Sequence, residues 1–133
     1  MKKRNIIATE ADEQSALFAW SKYHSICKDY LIAIPNGGSR HPIEARNLKR
    51  QGVRGGVSDI FLAYPNKGYY GLWIELKRFK NPSRLTKDQQ IWLTRMRNIG
   101  YVAVVAQGWE VAKSIIEYYL DDNTVIEIDK FHA

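Results

Sequence analysis

Three charged residues, Asp59, Glu75 and Lys77, are spaced so that they could share one chemical site. Side chains alternate between the two faces of a strand, so Glu75 and Lys77 lie on one face and Leu76 on the other. A hairpin between the predicted strands would bring Asp59 opposite the Glu75 region. Two carboxylates about 4 Å apart repel each other by about 4 kcal/mol at an effective dielectric near 20, so a cation is expected beside them.

Mg²⁺ or Mn²⁺ suits such a pair, because both ions prefer oxygen ligands and keep water molecules for a substrate phosphate. Lys77 would stand beside the metal and orient the attacking water or stabilise charge on the phosphoryl oxygens. We therefore predict that Asp59 and Glu75 are metal ligands and that Lys77 is catalytic. The alternative is a solvated charged face, in which a Glu–Lys pair contributes little stability.

Two more polar residues are predicted to belong to this site. Gln89 lies one helical turn before Trp92, so its amide can face the strand ends and hold a water molecule or a phosphate. Glu10 lies in the first turn of a predicted helix and would add a further carboxylate. Acids are also favoured there by the helix dipole alone, and Asp12 and Glu13 compete with Glu10 for either role.

The elements that must position these residues follow from changes in hydrophobic spacing and from turn residues. Thr9 and Asp12 resemble a capping box that opens the first helix. The predicted helices cover about residues 10–28, 42–51, 85–99 and 108–120, and the predicted strands cover residues 31–34, 57–63, 69–77, 101–106 and 125–128. This order predicts an α/β domain built around a small mixed sheet. We expect a single domain over residues 1–133, with its core at about 9–120 and a C-terminal extension at 121–133.

Two of the predicted strands have a more specific assignment. The nearly all-apolar run at 101–106 is typical of an interior strand, whereas 125–128 could be an edge strand. The runs at 57–63 and 69–77 flank a Pro-Asn-Lys-Gly turn and predict an antiparallel hairpin.

Composition limits the class of protein. The chain has 133 residues, a net charge of +6 and a single cysteine, Cys27. One cysteine excludes an internal disulfide framework, and no run of apolar residues is long enough to span a membrane, so we expect a cytoplasmic protein. The basic balance favours a polyanionic partner, although a generic basic protein would have the same charge.

Glycine-rich turns at residues 36–40 and 52–56 carry arginines. Neither turn is a P-loop, because no Gly-Lys-Ser/Thr ends either run. Arg40 or Arg54 could clamp a phosphate, and the simpler alternative is a tight turn with a solvated arginine. The predicted DNA contacts are Arg40, Lys49, Arg54 and Arg78.

Taken in order, these segments resemble the VRR-NUC domain, the virus-type replication-repair branch of the PD-(D/E)XK nuclease superfamily. One departure is Ser58, which stands before Asp59 where the family usually has proline. The resemblance covers Glu10 to about Leu120. It rests on the Glu10…Gln14 helix, Ile34-Pro35-Asn36-Gly37-Gly38, Gly56-Val57-Ser58-Asp59, Gly71-Leu72-x-Ile74-Glu75-Leu76-Lys77, Leu85-Thr86-x-x-Gln89-x-x-Trp92 and Gly100-Tyr101.

The resemblance implies a restriction-endonuclease-like fold with a four-stranded mixed sheet flanked by helices. It implies metal ligation by Asp59 and Glu75, catalysis by Lys77, and accessory roles for Glu10 and Gln89. It also implies a phage or bacterial Mg²⁺- or Mn²⁺-dependent DNA endonuclease that acts as a homodimer on branched DNA, such as four-way junctions or flaps. The alternatives are a DNA-binding module that has lost its chemistry and a nuclease acting on linear nucleic acid.

Overall fold

The computed structural model describes residues 6–35 and 41–124. Short loops connect its helices and strands, and the bounds of these elements determine where the predicted site residues lie. In chain order the elements are α1 (Glu10–Ser21), α2 (Cys27–Tyr30), β1 (Leu31–Ala33), α3 (Pro42–Arg50), β2 (Ile60–Leu62), β3 (Leu72–Lys77), α4 (Lys87–Asn98), β4 (Val102–Gln107) and α5 (Trp109–Leu120).

The four strands form one mixed sheet in the order β1-β2-β3-β4. The β1–β2 and β2–β3 pairs are antiparallel, whereas β3 and β4 are parallel. Parallel neighbours need a crossover connection, and α4 provides it between β3 and β4. The predicted α/β fold with a mixed four-stranded sheet is therefore confirmed, as is the antiparallel hairpin, although β2 and β3 are shorter than the predicted strands.

Helices cover both faces of the sheet at β3 and β4. On one face α1 and α5 bury residues such as Leu17, Ile74 and Ile116 in the larger core cluster. On the other face α4 packs Leu93 and Met96 against Ala103, beside partly buried aromatic rings. Strands covered on both faces read as continuous apolar runs, so a charged residue within them is unusual and must be accommodated by specific partners.

The first predicted helix, residues 10–28, is wrong in its extent. The Thr9 capping box forms as predicted, but α1 ends at Ser21 and a separate short helix begins at Cys27. The His24 ring explains the break, because its Nδ1 accepts hydrogen bonds from the backbone N–H groups of Ile26 and Cys27. The apolar spacing continues across the break because Leu17 and Cys27 pack in the same core.

Two predictions about position are also corrected. The run predicted as an interior strand forms β4, which is the last strand in the sheet of the described residues. Its side chains are buried because α4 covers one face of the strand and α5 covers the other. The apolar run therefore indicated burial and not a central position in the sheet. The helix predicted over 85–99 is shorter in the structure, because α4 covers Lys87–Asn98 and leaves Ile99 57% exposed.

Two predictions concern residues outside the described part of the chain. They are the phosphate contact of Arg40 in its glycine-rich turn and the edge strand at 125–128. None of the helices in the described part of the chain has the length and apolar character needed to cross a membrane.

Candidate active site

Strand β3 carries two of the predicted site residues on the face that α4 covers. Alternation along β3 places Leu72, Ile74 and Leu76 in the larger core cluster and leaves Glu75 and Lys77 on the opposite side. Only 2% of Glu75 and 5% of Lys77 is exposed. The alternative of a solvated charged face is therefore wrong, because α4 shields these two residues from water.

Asp59 reaches the same place from the neighbouring strand. Ile60 pairs with Ile74 in the antiparallel register, so Asp59, one residue earlier, lies opposite Glu75. The Leu76 backbone N–H donates a hydrogen bond to Asp59 Oδ2 over 2.9 Å. Burial raises the pKa of Asp59, and the Leu76 N–H acts in the opposite direction by stabilising the carboxylate.

Glu75 is the most perturbed group of the site. Its Oε1 accepts a hydrogen bond from Gln89 Nε2 at 3.0 Å and lies 3.8 Å from Lys77 Nζ. Its Oε2 is buried and accepts no hydrogen bond from an N–H or hydroxyl group of the described residues. Burial, followed by the charge of Asp59 and by hydrogen bonding with the Asp59 carboxyl group, raises the pKa of Glu75 to about 8.

Lys77 contacts site residues from the strand, from α4 and from the loop between them. Its ammonium group donates to Ser83 Oγ over 3.1 Å and to Gln89 Oε1 over 3.3 Å, and it faces Glu75 Oε1. A lysine ammonium has three donors, and these contacts account for its direction. The cation is thus held beside the carboxylate pair by partners from three different segments.

Gln89 performs two tasks with one side chain. Its Oε1 accepts from the Thr86 backbone N–H over 2.9 Å, which completes a capping box at the start of α4. The same oxygen accepts from Lys77, while Nε2 donates to Glu75. The structure therefore places Gln89 in the site, in direct contact with both strand residues.

Glu10 and Glu13, which competed in the sequence, have separate positions. Glu10 Oε1 accepts from Ser83 Oγ over 3.3 Å, and its charge raises the pKa of both Asp59 and Glu75. Glu13 is buried and accepts instead from the backbone N–H of Phe79. Glu10 is therefore the first-helix acid that lies beside the carboxylate pair.

Sequence reasoning missed Ser83. Its hydroxyl accepts from Lys77 and donates to Glu10, so it joins the strand and the first helix. The residue stands in an irregular segment between β3 and α4, where no periodicity marks it. Its only signal was its place six residues after Lys77 in a basic stretch.

The predicted DNA contacts are more dispersed. Lys49 lies in the last turn of α3, Arg54 lies in the turn that follows, and both are exposed. Arg78 comes directly after Lys77, and its Nε donates to the backbone carbonyl of Asn81 over 3.0 Å. The roles of all three side chains remain predictions.

The carboxylate pair fits a divalent cation. Within residues 6–35 and 41–124, no group of three or more His, Cys, Asp or Glu side chains is arranged to hold a metal ion. Asp59 and Glu75 would be the two protein anchors of such an ion, leaving other positions to water and substrate, as Mg²⁺ commonly requires. The unpartnered Glu75 Oε2 next to Asp59 is the observation that favours such an ion.

Comparison with known proteins identifies this arrangement. The helices around the mixed sheet form a restriction-endonuclease-like α/β fold. The sequence model of the VRR-NUC domain matches residues 5–110. A solved structure described as a VRR_NUC domain protein is similar over 95% of this chain and 100% of its own, with a TM-score of 0.75 and 29% identity. None of the curated proteins matches the sequence. The chain belongs to the VRR-NUC family, which is a family of nucleases.

Proposed function

We propose that this protein is a Mg²⁺- or Mn²⁺-dependent DNA endonuclease whose catalytic groups are Asp59, Glu75 and Lys77. The observation that carries the proposal is the buried Asp59–Glu75 pair with a carboxylate oxygen that lacks a partner. Such a pair is costly for a fold unless a proton or a cation neutralises it, and a divalent cation would do so with both carboxylates ionised. Lys77 beside the pair adds a donor of the kind that phosphoryl oxygens require.

A bound divalent ion would supply activation of a water molecule and stabilisation of charge at phosphorus. Asp59 and Glu75 would hold that ion, and the Leu76 N–H keeps the Asp59 carboxylate in position. Lys77 would donate a hydrogen bond to a phosphoryl oxygen as its charge grows. Gln89 orients both Glu75 and Lys77, and Ser83 and Glu10 keep the ammonium group turned toward the strand ends.

The proposed reaction is hydrolysis of a phosphodiester bond by in-line attack of water. It would leave 5′-phosphate and 3′-hydroxyl ends. We further propose that the substrate is branched DNA, a four-way junction or a flap, and that a homodimer cuts it. Two cuts placed symmetrically across a junction need two copies of one site, which a twofold dimer provides.

The proposed chemistry is tested by Asp59→Asn, which keeps the shape of the side chain and removes its charge. Cleavage of a panel of branched, duplex and single-stranded DNA is followed with Mg²⁺, Mn²⁺, Ca²⁺ or chelator. We expect the rate to fall by at least about 10²-fold, the range seen when one charge-stabilising group is lost. Cut positions mapped on the panel report substrate preference and symmetry.

Asp29→Asn is the matched control, because Asp29 is an exposed acid on α2. It should cut as the wild type does. Cleavage that survives chelation, or that persists in Asp59→Asn, would contradict the metal site. Tight binding of branched DNA without any cutting would point instead to a binding module.

A further inference from the structure

Beyond the end of β3 lies a hollow of about 600 Å³. Its walls include Ile7, Phe79, Lys80, Gln107, Trp109 and Glu110. The hollow adjoins the strand ends next to the candidate site, because Gln107, which lines it, pairs with Lys77 in the parallel register. The Gly108 N–H also donates to the Lys77 carbonyl over 2.7 Å, so the wall of the hollow and the end of β3 are joined.

Phe79 presents an aromatic ring at the mouth of this hollow. The side chain is 61% exposed although its backbone is fixed on both sides. The Phe79 N–H donates to the buried Glu13 carboxylate over 3.0 Å, and its carbonyl accepts from Gln107 Nε2. A single exposed apolar residue is ordinary on a protein surface. The backbone of Phe79, however, is held in place by the side chains of Glu13 on α1 and Gln107 on β4.

The ring also lies close to the proposed chemistry. Phe79 follows Lys77 by two residues, which span at most about 7 Å of extended chain. A nucleotide beside the scissile bond is therefore within reach of the ring.

Charge determines which part of a nucleotide could enter. Residues 78–87 contain four cations, Arg78, Lys80, Arg84 and Lys87, and no acid. Phosphates would be attracted to this outer segment. Lys80 and the two acids Glu13 and Glu110 line the hollow itself, so its wall carries a net negative charge that disfavours a phosphate inside it. An uncharged base is the part of DNA that fits an interior of this kind.

We propose that the hollow receives one unpaired nucleobase of the strand being cut and that the base stacks on the ring of Phe79. Arg78 and Lys80 hold the adjacent phosphates. This inference rests on the proposed function and deepens it, because a base must leave the duplex stack before it can contact a side chain in this way. The substrate would carry an unpaired nucleotide next to the scissile phosphate, as a branch point does.

The test is a double-mutant cycle between the ring and the base. Binding of a labelled four-way junction and a labelled flapped duplex is measured by fluorescence anisotropy in Ca²⁺, with abasic sites placed along each strand. We expect Phe79→Ala to weaken binding by about 5- to 150-fold, the range for loss of one stacked base. An abasic site at one position should weaken wild-type binding similarly and have no further effect on Phe79→Ala.

Two further variants serve as controls for this measurement. Phe79→Trp should restore binding, because it keeps an aromatic face. Tyr23→Ala should bind as the wild type does, because Tyr23 is 92% exposed on the turn after α1. The inference is overturned if Phe79→Ala binds normally, or if its effect simply adds to that of every abasic site. It is also overturned if Phe79→Ala changes the oligomeric state, which would make the hollow a contact between copies.

Binding in Ca²⁺ does not depend on cleavage, so the two hypotheses can fail separately. A protein that shows the coupling but cuts no DNA refutes the proposed function. A protein that cuts DNA without the coupling refutes only the role of Phe79.

Discussion

At the scale of single residues, the ionisation of Glu75 determines the charge of the candidate site. Its pKa is raised from 4.5 to about 8 by burial and by the charge of Asp59. The folded protein therefore holds a proton on Glu75 that the unfolded chain has already lost between these two values. Stability conferred by this proton is complete below about pH 4.5 and is lost as the pH rises through about 8.

We predict that the free energy of unfolding of the metal-free protein falls over that interval, by at most about 1.4 kcal/mol per pH unit from this group. Urea unfolding in chelator at several pH values measures it. Glu75→Gln should flatten the profile, whereas Glu117→Gln, at an exposed ion pair on α5, should leave it unchanged. A profile that Glu75→Gln leaves unaltered would contradict the assignment.

The residues of the site differ in how well the sequence predicted them. Strand alternation and the hairpin were sufficient to bring Asp59, Glu75 and Lys77 together. Contacts such as Ser83 with Glu10 and Phe79 with Glu13 join residues 73 and 66 positions apart. No local pattern records such pairings, because they arise only when α1 packs across the end of the sheet.

At the scale of elements, Gly56 joins the loop before Asp59 to the start of α4. Its φ is +86°, and a Cβ there would lie 2.5 Å from the backbone carbon of Asp88. Asp88 directly precedes Gln89, so this close contact helps to position the amide that touches Glu75 and Lys77. The loop and the helix are thereby held at a fixed separation.

We predict that Gly56→Ala destabilises the protein by about 1–3 kcal/mol more than Gly52→Ala. Gly52 also has a positive φ, +99°, but its Cβ would meet no heavy atom within 4 Å. Both variants place alanine at a positive φ and therefore share the same kind of backbone strain. Only Gly56→Ala adds a steric clash with the backbone of Asp88. Denaturant unfolding measures the difference and cleavage assays measure displacement of the site. Equal stability of the two variants would show that the loop simply moves away from α4.

Element boundaries were the least predictable part of the fold. The apolar spacing from Leu17 to Cys27 suggested one helix, yet α1 and α2 are separate. Spacing records which residues face the core and does not record a side chain, such as His24, that caps a new helix. The apolar run of β4 likewise predicted burial correctly, but among the described strands β4 is the last in the sheet and not an interior one.

At the scale of the whole molecule, symmetry is the property on which the proposed junction cutting depends. We predict that light scattering at micromolar concentration gives twice the chain mass of 15.4 kDa. The physical reason is that a twofold axis relates two cuts on opposite strands. A monomer would instead be expected to leave a single nick in the mapped junction. A monomer mass both free and bound to junction DNA would contradict the dimer.

The amide of Gln89 has a consequence for heat sensitivity. The same oxygen caps the start of the helix and contacts Lys77, so the first turn of α4 and the ammonium group share one hydrogen-bond acceptor. Helix ends open locally far more readily than whole domains unfold. Each opening of this turn would break the Gln89 hydrogen bonds to Lys77 and Glu75 together, so we expect heating to disorder the candidate site while the sheet stays intact.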